Sequence, residues 1–420
     1  MTTHKLAIPI LLAVVAMAPA VAEAAPDGTT VLAEAAQGES PTMDHPGVAV
    51  DGETGAIHVT YGSESDGVRV YATSSTDGGA TWGEPVRVST EDDVAMPHAG
   101  PAHIEVGPDG TIYVLYQITL TDQSWIDAGF TFGFTSLHLA ISEDGGETFL
   151  PSAEVYATSG PDQADPDLLR SKNFESMTVS GDGRVYITWL ESRGQTDGAW
   201  PPSETVITWT DDGTTFAEPQ IIKSDVCPCC ATSACFGPDG SVHVMFRDIQ
   251  DNPGGMTIRD MVMATSGDGG STWEEPLRVG DDRFEIDSCP HSTSTITTDD
   301  EGRIHAAWWT MGGEGPGTYY SVSADGGSTW EEPLLLDGGE WYPATQIKIV
   351  VDSDGTPIVA WADPTVEYGA IKYAVIRGGA AEVAGLGAGD HPWLASAGGV
   401  TALVWAADGQ ILIKTWHDPI

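Results

Sequence analysis

A short unit recurs five times along the chain, and no other feature restricts the possible fold as strongly. Each copy has an aspartate, one or two glycines and then a threonine followed by an aromatic residue, as in residues 77–82. The carboxylate of such a box can accept backbone N–H bonds across the turn, and the glycines adopt positive φ. The aspartates are Asp77, Asp144, Asp212, Asp268 and Asp325, which lie 67, 68, 56 and 57 residues apart. This spacing predicts a chain of similar consecutive units.

A second motif, a turn followed by an alternating strand, recurs seven times. Residues 109–116 (DGTIYVLY) and 182–189 (DGRVYITW) are examples. With the boxes it predicts an all-β fold, a β-propeller of four-stranded antiparallel blades. Seven blades are favoured, and six remain possible because the last two repeats have no box. The last repeat has only three strands, so we expect residues 30–35 to add the fourth and close the ring.

The boxes resemble the Asp-box, or BNR, repeats of the sialidase-like β-propellers over roughly residues 30–418. The resemblance implies the fold more than the activity, because Asp boxes face away from the active site in that superfamily. They also occur in propellers that hydrolyse nothing. Sialidases have six blades, so a seventh blade would be a departure from them.

The first residues read as a secretion signal. His4 and Lys5 precede an apolar run with small-residue cleavage sites after it. We expect residues 1–24 to be a signal peptide and residues 25–420 a single propeller domain, secreted or periplasmic; an uncleaved anchor is the alternative. Such a compartment permits disulfides. The chain has five cysteines, so at least one is a free thiol, an intermolecular partner or a metal ligand.

The chain is strongly acidic, with 62 acidic and 17 basic side chains and a net charge of −45. A polyanion repels nucleic acids and anionic membranes, which excludes them as partners. No later stretch approaches a membrane-spanning length, so we expect a protein that is not integral to the membrane. We also expect a monomer whose partner is a metal ion or an extracellular glycan.

Cysteine and histidine cluster in the segments that precede the first strand of each unit, which we call the mouth segments. In a four-stranded meander these segments meet at one mouth of the central channel. Pro228 and Pro290 each lie 11 residues before their following turn motif. Cys227 and Cys289 are therefore equivalent on neighbouring blades, as are Cys229 and His291.

Thiolate and imidazole groups are the ligands of copper and zinc, and we favour copper with zinc as the alternative. The role could be binding or redox chemistry. The predicted ligands are Cys227, Cys229, Cys230, Cys289, His291, His45, His98 and His391. A disulfide, either Cys227 to Cys289 or within residues 227–230, is the competing interpretation. Cys235 is most simply a small buried side chain.

A second hypothesis is an exo-acting glycoside hydrolase. The resemblance to sialidases implies three arginines that bind a carboxylate, an acid/base aspartate and a tyrosine activated by a glutamate. The candidates at the mouth are Arg193, Arg247, Arg259, Glu191 and Tyr368. The Arg-Ile-Pro or Arg-Leu-Pro motif of sialidases is absent, and Arg247 and Arg259 could instead form surface ion pairs with the aspartates that follow them. A non-catalytic propeller that binds glycan or protein is the third hypothesis.

Overall fold

A computed structural model of the chain describes residues 28–34, 43–63, 69–90, 102–120, 134–156, 170–193, 203–288, 290–339, 345–365 and 369–417. The regular elements within these ranges are β-strands. No helix in the described ranges has the length and apolarity needed to cross a membrane. The predicted signal peptide, residues 1–24, lies outside the described residues.

The strands follow one another in chain order. They are β1 Thr29–Glu34, β2 Met43–Val50, β3 Ile57–Ser63, β4 Arg69–Ser75, β5 Val86–Arg87, β6 His103–Val106, β7 Ile112–Leu120, β8 Phe134–Ser142, β9 Ala153–Glu154, β10 Arg170–Val179, β11 Val185–Arg193, β12 Ser203–Thr210, β13 Gln220–Val226, β14 Ser233–Phe236, β15 Val242–Arg247, β16 Met261–Ser266, β17 Leu277–Arg278, β18 Ser294–Thr298, β19 Ile304–Thr310, β20 Gly317–Ser323, β21 Leu334–Gly338, β22 Thr345–Val351, β23 Pro357–Asp363, β24 Ala370–Arg377, β25 Ala380–Ala388, β26 Asp390–Ala397, β27 Val400–Ala407 and β28 Gln410–His417.

These strands form seven four-stranded antiparallel sheets, which confirms the propeller and selects seven blades over six. Blades 1 to 6 each use four consecutive strands, from β2–β5 to β22–β25. Blade 7 consists of β26, β27 and β28, and β1 pairs with β28 as its outer strand. The N-terminal strand therefore closes the ring as the sequence predicted. The first strands β2, β6, β10, β14, β18, β22 and β26 each contact the next one around the central channel.

The Asp boxes join the third and fourth strands of blades 1 to 5. In the first box the Asp77 carboxylate accepts bonds from Thr81 N (2.8 Å), Thr81 Oγ1 (2.6 Å) and Ser75 Oγ (2.9 Å). Hydrogen bonds from Thr81 and Ser75 stabilise the charged form and lower the pKa of Asp77 to about 2. The same contacts recur at Asp144, Asp268 and Asp325, whereas Asp212 accepts from two backbone N–H groups. The box is therefore a turn that is fixed by its own side chains.

The hydrophobic core lies between the blades. Alternation along each second strand places one aromatic residue of the turn–strand motif in this core. These residues are Tyr61, Tyr116, Trp189, Phe246, Trp308, Trp361 and Trp405, and all seven are buried. At the closing joint, Val59 and Trp82 of blade 1 pack in one cluster with Val404 and Ile413 of blade 7. Burial between blades, repeated around the ring, holds the mouth segments in fixed positions.

Candidate functional site

Several mouth segments share a residue with positive φ. His45, Phe174, Gln346 and His391 each adopt positive φ between 51° and 57° at an irregularity in the first strand of their blade. His291, before the first strand of blade 5, has a φ of 50°. A bulge of this kind redirects the side chains around it, and bulges are common beside functional sites. The mouth is therefore formed by similarly bent segments from several blades.

Three cysteine sulfurs converge where the chain passes from blade 3 to blade 4. Cys227 Sγ lies 3.8 Å from Cys229 Sγ and 3.8 Å from Cys230 Sγ, and all three sulfurs lie within 4.8 Å of one another. All three side chains are buried, with Phe174 and Ile249 packed against them. Among the described residues this is the group of three or more Cys, His, Asp or Glu side chains that could hold a metal ion.

The oxidation states within this cluster differ. Cys229 is disulfide-bonded, with a partner outside the described residues, whereas Cys227 and Cys230 are free thiols. The disulfide that we considered between Cys227 and Cys289 is therefore wrong, and so is a bridge within residues 227–230. Cys235 is a buried free thiol on β14, where burial raises its pKa; this matches the inert role expected for it. Cys289 lies outside the described residues.

Two arginines lie beside the thiols. Arg259 Nη1 donates a 3.1 Å hydrogen bond to Cys227 Sγ. The Arg247 side chain is 1% exposed, and its donors reach Arg259 O (2.7 Å), Ser292 Oγ (2.9 Å) and Trp309 O (2.8 Å). Ser292 Oγ in turn lies 4.0 Å from Cys230 Sγ. The positive charge of Arg259 therefore contacts the cluster directly, and that of Arg247 lies next to it through Ser292.

The two free thiols have pKa values that are shifted in opposite directions. Burial alone would raise the pKa of Cys230, but the hydrogen bond from Cys227, the charge of Arg247 and the contact with Ser292 together lower it to about 5. The pKa of Cys227 is raised in turn by its hydrogen bond to Cys230 and by burial. These shifts favour a thiolate at Cys230 that accepts a hydrogen bond from the Cys227 thiol.

The predicted histidine ligands do not all converge with the cysteines. The rings of His45 and His391, on blades 1 and 7, lie 3.9 Å apart between centroids. The cysteines precede blade 4, in another sector of the ring, so a single site that uses all of these residues is not formed. His291 is exposed and immediately precedes Ser292 of the thiol cluster. His98 lies outside the described residues.

The candidates for sialidase-like chemistry are also dispersed. Arg247 is buried, and its guanidinium donates hydrogen bonds to other groups of the protein. It is therefore not available to a substrate carboxylate. The predicted surface ion pair with Asp248 is also wrong, because the Arg247 side chain is not at the surface. Glu191, on β11, lies 3.9 Å from Arg170 Nε and accepts a 3.3 Å bond from Trp189 Nε1. Burial raises the pKa of Glu191. Arg193 ends β11 opposite Arg170. Tyr368 lies outside the described residues.

Sequence reasoning missed a group of ionisable side chains in the wall of the central channel. Glu105, Glu175 and Lys348 come from blades 2, 3 and 6, and the Lys348 ammonium lies 3.3 Å from the centroid of the Trp393 ring. Burial raises the pKa of Glu105 to about 7 and that of Glu175 to about 8, and it lowers the pKa of Lys348 to about 7. His103 borders the same group, and burial lowers its pKa. The sequence did contain a signal for this group. Its members are charged residues in first strands, where apolar or small residues dominate.

The channel itself is a cavity of about 370 Å³. Residues from all seven first strands line it, among them His103, Glu105, Lys348 and Trp393. Cys227, Cys229 and Cys230 are not among its lining residues, so the channel and the thiol cluster are separate features.

The chain resembles known proteins in sequence pattern and in fold. Residues 62–348 match the BNR repeat-like domain family. No curated protein sequence matches the chain significantly. A Hadza microbial sialidase superposes with a TM-score of 0.53 at 14% identity, covering 87% of this chain and 74% of that one.

Two other solved structures superpose to a similar extent. A polysaccharide lyase, ulvan lyase, gives a TM-score of 0.54 at 13% identity, covering 89% of this chain and 93% of that one. An α-L-arabinanase from Penicillium chrysogenum gives 0.52 at 15% identity, covering 80% and 94%. At these identities the superpositions establish the propeller fold and leave the chemistry to the residues of the site.

Proposed function

The chain belongs to the family of BNR repeat-like domains, and we propose that its sialidase-like propeller holds a transition metal of the copper type at the mouth. The ligands would be the sulfurs of Cys227 and Cys230, in a protein that residues 1–24 direct to the periplasm or outside the cell. The observation that carries the proposal is the 3.8 Å separation of the two free cysteine sulfurs, Cys227 Sγ and Cys230 Sγ, within a cluster of three cysteine sulfurs. The role of the metal would be binding or redox chemistry.

The sulfur geometry supports a shared ion. Metal–sulfur bonds of about 2.3 Å at tetrahedral angles separate two sulfurs by about 3.8 Å. Cys227 Sγ and Cys230 Sγ are 3.8 Å apart. The lowered pKa of Cys230 favours its thiolate form, which is the form that binds a metal.

The local charge favours Cu⁺ over Zn²⁺. A Cu⁺ ion with two thiolates carries one negative charge, which offsets one of the two guanidinium charges of Arg247 and Arg259, the latter 3.1 Å from Cys227 Sγ. A Zn²⁺ ion with two thiolates is neutral and would leave the charges of Arg247 and Arg259 uncompensated beside a buried site. Soft thiolate ligands also suit Cu⁺.

Further ligands remain proposals. His291 is the imidazole that we favour, because its neighbour Ser292 already contacts Cys230. Cys289 and His98 lie outside the described residues, and neither is assigned to the ion. His45 and His391 form their own pair on blades 1 and 7 and are not among the proposed ligands of this ion.

Metal content tests the proposal. We expect about one copper per chain in protein purified from the periplasm without chelators, measured by inductively coupled plasma mass spectrometry. The double variant Cys227→Ser/Cys230→Ser should lose that copper, and Cys235→Ser, a buried thiol outside the cluster, should keep it. Wild-type protein that stays free of metal after incubation with Cu⁺ would reject the proposal.

A glycan-acting propeller is the second candidate. It is supported by the resemblance to a sialidase, an arabinanase and a polysaccharide lyase. It is also supported by Glu191, a half-buried carboxyl group whose pKa is raised by burial, as a general acid in glycoside cleavage requires. Arg170, 3.9 Å away, would orient it.

Turnover of a panel of fluorogenic glycosides and sialosides tests this candidate. Glu191→Gln should abolish any activity, whereas Glu218→Gln, a control that removes another carboxylate of blade 3, should not. The absence of turnover across the panel would reject it. If copper is absent as well, the third hypothesis remains, a non-catalytic propeller that binds glycan or protein.

A further inference from the structure

We infer that Cys229 is a redox-controlled third ligand of the mouth site: its disulfide withdraws one sulfur from the metal, and reduction returns it. This inference rests on the proposed copper site and adds its regulation. The thiol cluster that binds the metal would then also sense the thiol–disulfide state of the compartment.

The sulfur of Cys229 belongs both to a disulfide and to the thiol cluster. Cys229 is disulfide-bonded. The same Cys229 Sγ lies 3.8 Å from the free thiol of Cys227, and within 4.8 Å of that of Cys230. A disulfide sulfur carries no negative charge and is a poor metal ligand, whereas a thiolate at this position would complete a three-sulfur set.

Charge compensation is better in the reduced cluster than in the oxidised one. Three thiolates carry three negative charges, and the guanidinium groups of Arg247 and Arg259 supply two positive charges beside them. One Cu⁺ ion then makes the total neutral. With only two thiolates, the same ion and the same arginines leave one net positive charge in a buried cluster, which is unfavourable. The arginines are therefore matched to Cu⁺ with all three sulfurs.

The surrounding structure would keep the three sulfurs together during the change. Cys227 N donates to Arg247 O (3.0 Å), which ties the start of the segment to β15. Thr232 N and Thr232 Oγ1 both donate to Phe174 O, at 3.1 and 3.0 Å, which ties its end to blade 3. Reduction thus adds a ligand to a segment that is already fixed at both ends.

The chemistry is a two-electron thiol–disulfide exchange with an external thiol. Two thiol molecules supply two electrons and two protons and leave joined as their own disulfide. The bond between Cys229 Sγ and its partner sulfur breaks, and each of these sulfurs takes one proton. Cu⁺ binding then displaces the proton from Cys229 as it does from Cys227.

A competition titration tests the inference on the full chain. One sample keeps its disulfide; the other is reduced with a phosphine and desalted without oxygen, and a thiol count under denaturing conditions verifies that two thiols have appeared. Each is titrated with Cu⁺ against a chromophoric Cu⁺ chelator. We expect the reduced sample to bind Cu⁺ at least tenfold more tightly. Cys235→Ser should show the same difference, and Cys229→Ser should bind like the oxidised sample with or without reductant.

The possible outcomes distinguish failure of the redox control from failure of the proposed copper site. Equal affinity in the two wild-type samples would overturn the redox control and leave the copper site standing. Absence of Cu⁺ binding in both samples would overturn both. The wild-type comparison needs no variant, so a folding defect in Cys229→Ser does not prevent a decision.

Discussion

Arg259 Nη1 donates a 3.1 Å hydrogen bond to Cys227 Sγ. An arginine that the resemblance to sialidases would have assigned to substrate binding is thus directed at a cysteine. Its neighbour Arg247 is buried and held by two backbone carbonyls and by Ser292, so Arg247 does not extend towards the solvent of the mouth. The positive charge of this part of the mouth serves the sulfur cluster.

Removal of Arg259 should lower the affinity for Cu⁺ more than that for Zn²⁺. In Arg259→Met, only Arg247 remains to offset the thiolates of the copper-bound cluster. A charge-assisted hydrogen bond contributes about 1.5–3 kcal/mol, so we expect the Cu⁺ affinity of reduced protein to fall by about tenfold or more. Competition titrations with both ions measure this. Arg184→Met, which breaks an exposed ion pair with Asp211, is the control, and an equal loss in both variants would contradict the role of Arg259.

The buried carboxyl group of Glu175 should make stability depend on pH. Its pKa is raised to about 8 from a usual value of 4.5, so the folded protein holds this proton more tightly than the unfolded chain does. Stability from this group is complete below about pH 4.5 and is lost as the pH rises towards 8. Glu105, Lys348 and His103 titrate nearby, so the informative quantity is the difference between wild type and Glu175→Gln.

We expect Glu175→Gln to gain stability relative to wild type as the pH rises from about 5 to 8, by on the order of a few kcal/mol. Urea unfolding at several pH values measures this gain. Glu332→Gln, which alters an exposed carboxylate, should show a constant difference from wild type. A constant difference for Glu175→Gln as well would contradict the burial of its charge.

The net charge of −45 should make the fold more stable in salt. Repulsion among exposed carboxylates destabilises the compact state, and salt screens it over a Debye length of about 3 Å at 1 M. We expect Tm to rise by several degrees between about 0.05 and 1 M potassium chloride. Sucrose at matched osmolality controls for solvent exclusion, and an unchanged or lower Tm in salt would contradict this account.

The outer strand of blade 7 should be required for a stable ring. A chain that begins at residue 35 lacks β1, which pairs with β28 from Thr29 to Glu34. It would expose the backbone edge of β28 and the apolar side chains beneath, so we expect a lower Tm and a tendency to aggregate. A chain that begins at residue 28 keeps β1 and should match the full chain. Equal Tm values for the two truncations would contradict closure by this strand.

Much of the fold could be predicted because its determinants are local. The box around Asp77 and the turn before Trp189 each specify a hairpin, and their spacing fixes four strands per blade. Closure by residues 30–35 followed from the missing strand of the last repeat. The equivalence of the segments around Pro228 and Pro290 predicted that the two segments lie on neighbouring blades, and the structure brings Cys230 Sγ of one to 4.0 Å from Ser292 Oγ of the other.

The remainder of the site depends on distances that local patterns do not encode. Five cysteines allow many pairings, and the choice of Cys229 over Cys227 depends on the position of each sulfur after the turn at Pro228. The pairing of His45 with His391 requires the closed ring, since 346 residues separate them in the chain. The cluster of Glu105, Glu175 and Lys348 forms across three blades, so no segment of sequence shows it.

X-ray absorption at the copper edge tests the central claim most directly. Reduced protein loaded with one equivalent of Cu⁺ should show a first shell dominated by sulfur at about 2.3 Å, and Cys227→Ser/Cys230→Ser should lose that shell. A first shell of only nitrogen and oxygen in the wild-type protein would contradict a metal site built on these cysteines.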